Sequence, residues 1–196
     1  MGNCRKTTRG LTKNELVVLS EGWHHAARLG LRLNLMLTLR PLDEDMTPSD
    51  HCRAYAALRN KVGVYARQHG FRPAFIWSRE ANPDGEGEHL HMLVHVPEKW
   101  RKHFIETAIG WWPGPGEMDI RPASQKTVIT DDGMPHSALT YLCKQMDNRT
   151  RWKRGLRYQK GGEVLGKRAG VSATLSIKAI EDYRAQPIPL RAVAGG

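Results

Sequence analysis

The stretch Pro73-Ala74-Phe75-Ile76-Trp77-Ser78-Arg79-Glu80 runs through Ala81-Asn82-Pro83-Asp84-Gly85-Glu86-Gly87-Glu88 into His89-Leu90-His91-Met92-Leu93-Val94-His95-Val96. Two β-rich segments flank a run of turn-forming residues, which predicts an antiparallel hairpin. On its second strand the two-residue period places His89, His91, Leu93 and His95 on one face, and Leu90, Met92, Val94 and Val96 on the other. The wholly apolar row belongs to the core, so His89 and His91 project from the opposite face. Residues i and i+2 of a strand lie about 6.6 Å apart, close enough for two imidazoles to converge on one ion. Glu80 immediately precedes the turn and His89 immediately follows it. Directly opposed hairpin residues share a face with Cβ atoms about 5 Å apart. Glu80, His89 and His91 are therefore the expected metal ligands, whereas His95, about 13 Å beyond His91 along the strand, falls outside the set. Alternating histidines on an exposed strand often bind nothing, and it is the opposed carboxylate that makes these a candidate site. Two imidazoles and a carboxylate, without thiolates, suit Mn²⁺ or Mg²⁺ in phosphate chemistry, and Zn²⁺ is compatible by ligand type.

Outward from the hairpin, residues 12–29 carry Leu16, Leu19, Trp23, Ala26 and Ala27 at helical spacing, behind a Thr12/Glu15 capping box and ahead of Gly30. Residues 31–40 alternate Leu33, Leu35, Leu37 and Leu39 with Asn34, Met36, Thr38 and Arg40, the pattern of a half-buried strand. A second helix is expected over 48–69, with Tyr55, Leu58, Val62 and Tyr65 on one stripe, and a short third helix over 98–110. Pro113-Gly114-Pro115-Gly116 then breaks the chain. Strands are expected at 118–121 and 127–130, a helix from Pro135 or His136 to about Met146, and an amphipathic segment at 172–184. This order predicts an α+β fold: a single five-stranded antiparallel sheet with helices packed on one face.

The 196 residues are 40% hydrophobic, enough for one real core. The most apolar stretch, residues 29–39, is interrupted by Arg32 and Asn34, which excludes a membrane span. Cys4, Cys52 and Cys143 show no paired spacing, so neither a disulfide framework nor a thiolate zinc site is expected. The N-terminal residues lack an apolar signal segment, and a cytoplasmic location is expected. Lys+Arg number 30 against Asp+Glu 20, a net charge of +10 that favours polyanionic partners. Between 144 and 168 the imbalance is steepest, with only Asp147 and Glu163 set against the basic residues. Arg149, Arg151, Trp152, Lys153, Arg154, Arg157, Lys167 and Arg168 are the expected nucleic-acid contacts, with Trp152 placed to stack on an unpaired base; a solvated basic tail is the alternative. The expected division is a domain over 1–146 and a basic, DNA-contacting extension with a C-terminal helix over 147–196. Gly161-Gly162-Glu163-Val164-Leu165-Gly166-Lys167 has the spacing of a phosphate loop. Arg168 stands where that motif needs a hydroxyl and no apolar strand precedes it, so a flexible basic contact is the better reading.

On the helix expected near 135–146, Tyr141, Lys144 and Gln145 share a face at i, i+3 and i+4. A tyrosine one turn from a lysine fits a nucleophile assisted by a cation. Taken together, Trp77-Ser78-Arg79-Glu80 with its acidic turn, His89-Leu90-His91-Met92-Leu93-Val94, and Tyr141-Leu142-Cys143-Lys144 resemble the second and third motifs of the HUH endonucleases. The likeness is strongest to rolling-circle replication initiators of the geminivirus and plasmid type. Leu37-Thr38-Leu39 is similar to their first motif, and the resemblance spans roughly residues 33–146.

This resemblance implies a sheet related to the RNA-recognition and ferredoxin-like folds, with His89, His91 and Glu80 holding Mn²⁺ or Mg²⁺. It further implies Tyr141 as the nucleophile and Lys144 as its assistant in nicking single-stranded or hairpin origin DNA through a 5′-phosphotyrosine. Viral initiators continue into a helicase domain for which this chain has no room, so a separate helicase is the expected partner. Many phage initiators carry a second catalytic tyrosine, and no second Tyr-x-x-Lys occurs here. Gln145 also resembles the glutamine that follows the tyrosine of single-tyrosine transposases, which makes a transposase or relaxase the rival enzyme. A non-catalytic DNA-binding autoregulator is the rival outside catalysis.

Overall fold

In the computed structural model, which describes residues 6–42, 45–129, 135–146 and 159–186, the chain runs β1 (Thr7–Thr8), α1 (Lys13–Arg28), β2 (Leu35–Pro41), α2 (Pro48–Gln68), β3 (Phe75–Glu80), β4 (His89–Val94), α3 (Glu98–Ile109), β5 (Gly116–Pro122), β6 (Val128–Ile129), β7 (Pro135–His136), α4 (Ala138–Leu142), β8 (Val164–Leu165), β9 (Ala169–Val171), a 3-10 turn (Ala173–Leu175) and α5 (Ile177–Arg184). The hairpin forms in the expected register, with Glu80 opposite His89 and Ser78 opposite His91. Its turn is held by Gly85 N–H donating to Asn82 O and Asn82 N–H donating to Glu86 O, and Gly85 takes a φ of 92° that a side chain would resist.

Around the hairpin the sheet order is β5-β2-β4-β3-β9, with every neighbouring pair antiparallel. This is the expected α+β architecture, but its strands differ from expectation in two places. The fifth strand is β9, from the basic glycine-rich run. The segment expected as a strand at 127–130 forms only β6, which pairs with β7 outside the main sheet. Because β9 closes the free edge of β3, the sheet domain extends past residue 146. The loop before β9 is anchored on the hairpin itself. Gly162 N–H donates to Ala81 O, and a Cβ at Gly162 would sit 1.8 Å from Asn82 O, so glycine is required there.

Helices cover both faces rather than one. Leu35, Leu37, Leu39, Trp77, Leu90, Met92 and Val94 meet Tyr55, Leu58, Val62 and Tyr65 of α2 and Phe104 of α3. On the histidine face, Ile76, Leu93 and Ala169 meet Leu16, Leu19, Trp23 and Ala26 of α1, with Leu142 of α4. That face is apolar toward α1 and polar toward the hairpin turn, so a second helical layer covers its apolar part while the histidines stay outside it. The starts of α1 and α2 follow their capping boxes, Thr12 with Glu15 and Thr47 with Asp50. Among the described residues no helix is long and apolar enough to cross a membrane.

Candidate active site

Three side chains converge at the hairpin end of the histidine face. The ligand atoms of Glu80, His89 and His91 all lie within 4.8 Å of one another, and all three residues are buried. Glu80 Oε2 is 3.4 Å from His89 Nε2 and 3.5 Å from His91 Nε2. The far nitrogens set the tautomers. His89 Nδ1 lies 2.9 Å from Gly87 O, a carbonyl that only accepts, so Nδ1 is the donor there and Nε2 is the nitrogen that faces Glu80. His91 Nδ1 lies 2.9 Å from Thr38 Oγ1, an oxygen able to accept the same kind of N–H bond. Two imidazole nitrogens thus face one carboxylate oxygen, and the three together form a ligand set that a cation would complete. His91 Nε2 and Glu80 Oε1 have no hydrogen-bond partner despite burial, which is the condition of ligand atoms. Burial lowers the His91 pKa, assisted by Lys144, and so keeps the imidazole neutral. Burial works against the Glu80 carboxylate, but His89, His91 and Lys144 outweigh it and hold its pKa well below the usual range. The group is therefore suited to a divalent metal.

The helix carrying Tyr141 is shorter than expected. α4 ends at Leu142, because the chain turns at Cys143 and enters a bridge between Met146 and Leu11. Its start is set by Ser137, whose hydroxyl caps Thr140 N–H. From this short frame the Tyr141 ring packs edge-on against His91, with centroids 5.0 Å apart, while remaining 36% exposed. Lys144 Nζ lies 2.8 Å from Glu80 Oε2 and 3.8 Å from the centroid of the Tyr141 ring. Desolvation opposes its charge, but the Glu80 carboxylate more than compensates and raises its pKa, so it stands as an ammonium. An open groove beside Tyr141 is lined by Met36, Thr38, Arg40, His91, Asp119 and Arg121. The five residues selected for metal and nucleophile roles are thus neighbours in space.

Other expectations fare differently. Gln145 is buried and committed, donating to Ala81 O at 2.9 Å and accepting from Arg168 Nη2 at 2.7 Å, so its amide is not directed at the ligand group. Arg168, expected to contact DNA, is fully buried and donates also to Thr8 O and Gly162 O, and it is a structural link. Lys167 is exposed, but its Nζ lies 5.9 Å over the Trp77 ring, on the sheet face opposite the histidines. Arg149, Arg151, Trp152, Lys153, Arg154 and Arg157 lie outside the described residues. His95 stays apart from the ligand group, its Nδ1 2.9 Å from Arg32 O.

Two supports escaped the sequence reading. Thr38 holds His91 from the neighbouring strand, and its signals were its position in that strand and the likeness of Leu37-Thr38-Leu39 to the first motif, neither of which pairs it with His91. Behind the site, Arg79 Nε donates to Glu88 Oε1 at 2.7 Å, with both side chains buried, so the residues adjoining Glu80 and His89 are tied to each other on the far face. No family model, curated protein or solved structure matches this chain.

Proposed function

We propose that this chain is a metal-dependent endonuclease of the single-tyrosine HUH type, which nicks and rejoins single-stranded or hairpin origin DNA to initiate rolling-circle replication. One observation supports the reading above the others: Tyr141, chosen from sequence far downstream of the hairpin, packs against His91 beside the Glu80, His89 and His91 group and opens onto a groove. Mn²⁺ or Mg²⁺ held by these three residues would supply Lewis-acid polarisation of the scissile phosphate. The rest of the chemistry belongs to side chains. Tyr141 supplies the attacking oxygen, and Lys144, already protonated, stabilises the phenolate but cannot accept its proton, which leaves through solvent at the exposed edge of the ring. Attack forms a tyrosyl oxygen–phosphorus bond and breaks the bond to the 3′ oxygen. The products are a 5′-phosphotyrosine and a 3′-hydroxyl, which takes up a proton and can reseal the strand by the reverse step. A separate helicase is the partner this reading implies.

Gln145, the residue that raised the transposase alternative, is bonded to Ala81 and Arg168, which leaves that alternative without a structural argument of its own. Incubation with a library of single-stranded oligonucleotides and Mn²⁺ tests the reading. A covalent protein–DNA adduct mapped to Tyr141 and absent from Tyr141→Phe is the expected result. DNA binding without any adduct would favour the autoregulator, and cleavage by Tyr141→Phe would make water the nucleophile.

A further inference from the structure

We propose that Lys144 is the resident counter-cation of Glu80, and that a divalent metal gains this carboxylate by displacing the ammonium, which leaves Lys144 with Tyr141 as its remaining partner. This rests on the metal reading above and concerns how the site is loaded. Glu80 Oε2 is approached by three groups at once, and the nearest is Lys144 Nζ at 2.8 Å, against 3.4 and 3.5 Å for the two imidazole nitrogens. The carboxylate is only 1% exposed, so water cannot balance its charge and a protein cation is needed. Among the described residues the other buried cations of this region are committed elsewhere, Arg168 to Thr8 O, Gly162 O and Gln145 Oε1, and Arg79 to Glu88 Oε1 and Leu165 O.

Both imidazole nitrogens face Oε2, so a metal ion held with them would lie beside the ammonium whichever carboxylate oxygen it takes, and the two like charges repel. Of the side chains around the carboxylate, only Lys144 is free to leave. The imidazoles are pinned by Gly87 O and Thr38 Oγ1, and Glu80 is fixed in the register of β3. Lys144 instead reaches the carboxylate on a flexible four-carbon stem from the turn after α4, and its ammonium already lies over the Tyr141 ring. Displacement therefore needs only a rotation of that stem. It ends the sharing of the ammonium between Glu80 and Tyr141, so that once the site is loaded the charge of Lys144 is directed at the phenolate alone.

The test has two arms on the full-length protein. In the first, calorimetry compares Mn²⁺ affinity in wild type, Lys144→Met and Lys144→Arg, with melting curves to check folding. Lys144→Met, which keeps the length and removes the charge, should bind at least about tenfold more tightly, and Lys144→Arg should show no such gain. In the second, the wild-type protein is treated with an amine acetylating reagent with and without saturating Mg²⁺, and modification at Lys144 is followed by peptide mass spectrometry. Metal should accelerate it severalfold, and Glu80→Gln should show fast labelling without metal. Equal or weaker Mn²⁺ binding by Lys144→Met, or labelling indifferent to Mg²⁺, overturns the competition while leaving the metal site in place. Absence of Mn²⁺ binding in wild type overturns both.

Discussion

Replacing Arg79 by Met removes the cation that holds the back of the hairpin. Arg79 is 2% exposed and donates through Nε and Nη2 to Glu88 Oε1, and through Nη1 to Leu165 O at 2.6 Å and Lys167 O at 3.2 Å. Methionine fills much of the same volume but leaves the Glu88 carboxylate, itself 6% exposed, without its guanidinium; the nearest imidazole is that of His51, with Nδ1 3.6 Å from Oε2. Removing one partner of a buried pair costs about 3–5 kcal/mol, because the other charge stays desolvated. The orphaned carbonyls are covered by the same figure, since such losses do not add. For a chain of this size the loss corresponds to a fall of roughly 6–20 °C in melting temperature, at about 2–4 °C per kcal/mol. Urea unfolding followed by circular dichroism measures it directly, with the midpoint falling at an unchanged slope. Arg79→Met/Glu88→Gln removes both charges and should recover part of the loss, giving a coupling energy of about 2 kcal/mol or more. Since Arg79 adjoins Glu80 and Glu88 adjoins His89, Mn²⁺ affinity should fall by about tenfold in the single variant. A loss below about 1 kcal/mol, with the two substitutions additive, would refute the idea that this pair braces the site.

Thr38→Val keeps a β-branched residue in β2 but deletes the partner of His91 Nδ1; calorimetry should show Mn²⁺ affinity reduced about 10- to 100-fold with the melting temperature little changed. His91→Ala should abolish Mn²⁺ binding and adduct formation, whereas His95→Ala, at the far end of the strand, should alter neither. Changing Arg149, Arg151, Lys153, Arg154 and Arg157 to Gln should lower the slope of log affinity against log salt for single-stranded DNA by about 3.5, at about 0.7 per lost contact. Substitution is the proper probe there, because truncation after Asn148 would also remove β9 from the sheet.

How much of this was legible beforehand depends on the range over which each signal acts. The hairpin, its register and the convergence of Glu80 with His89 and His91 follow from a turn and a two-residue period, both local, so the sequence by itself determined them. The capping box that starts α1 is local in the same way. The choice of β9 over residues 127–130 was not legible. A strand as short as Ala169–Val171 has no period to detect and exists because the edge of β3 offers it hydrogen bonds. Arg168 read as a surface charge within a basic run, and only the fold shows that it is buried, because acceptors on Thr8 and Gln145 join the nearby Gly162 O around it. The second helical layer was hidden because Ile76, Leu93 and Ala169 become one apolar patch only when their three strands lie side by side. The meeting of Tyr141 with His91 and of Lys144 with Glu80 is likewise a product of tertiary structure, since helix spacing sets which residues share a face but not what that face will meet.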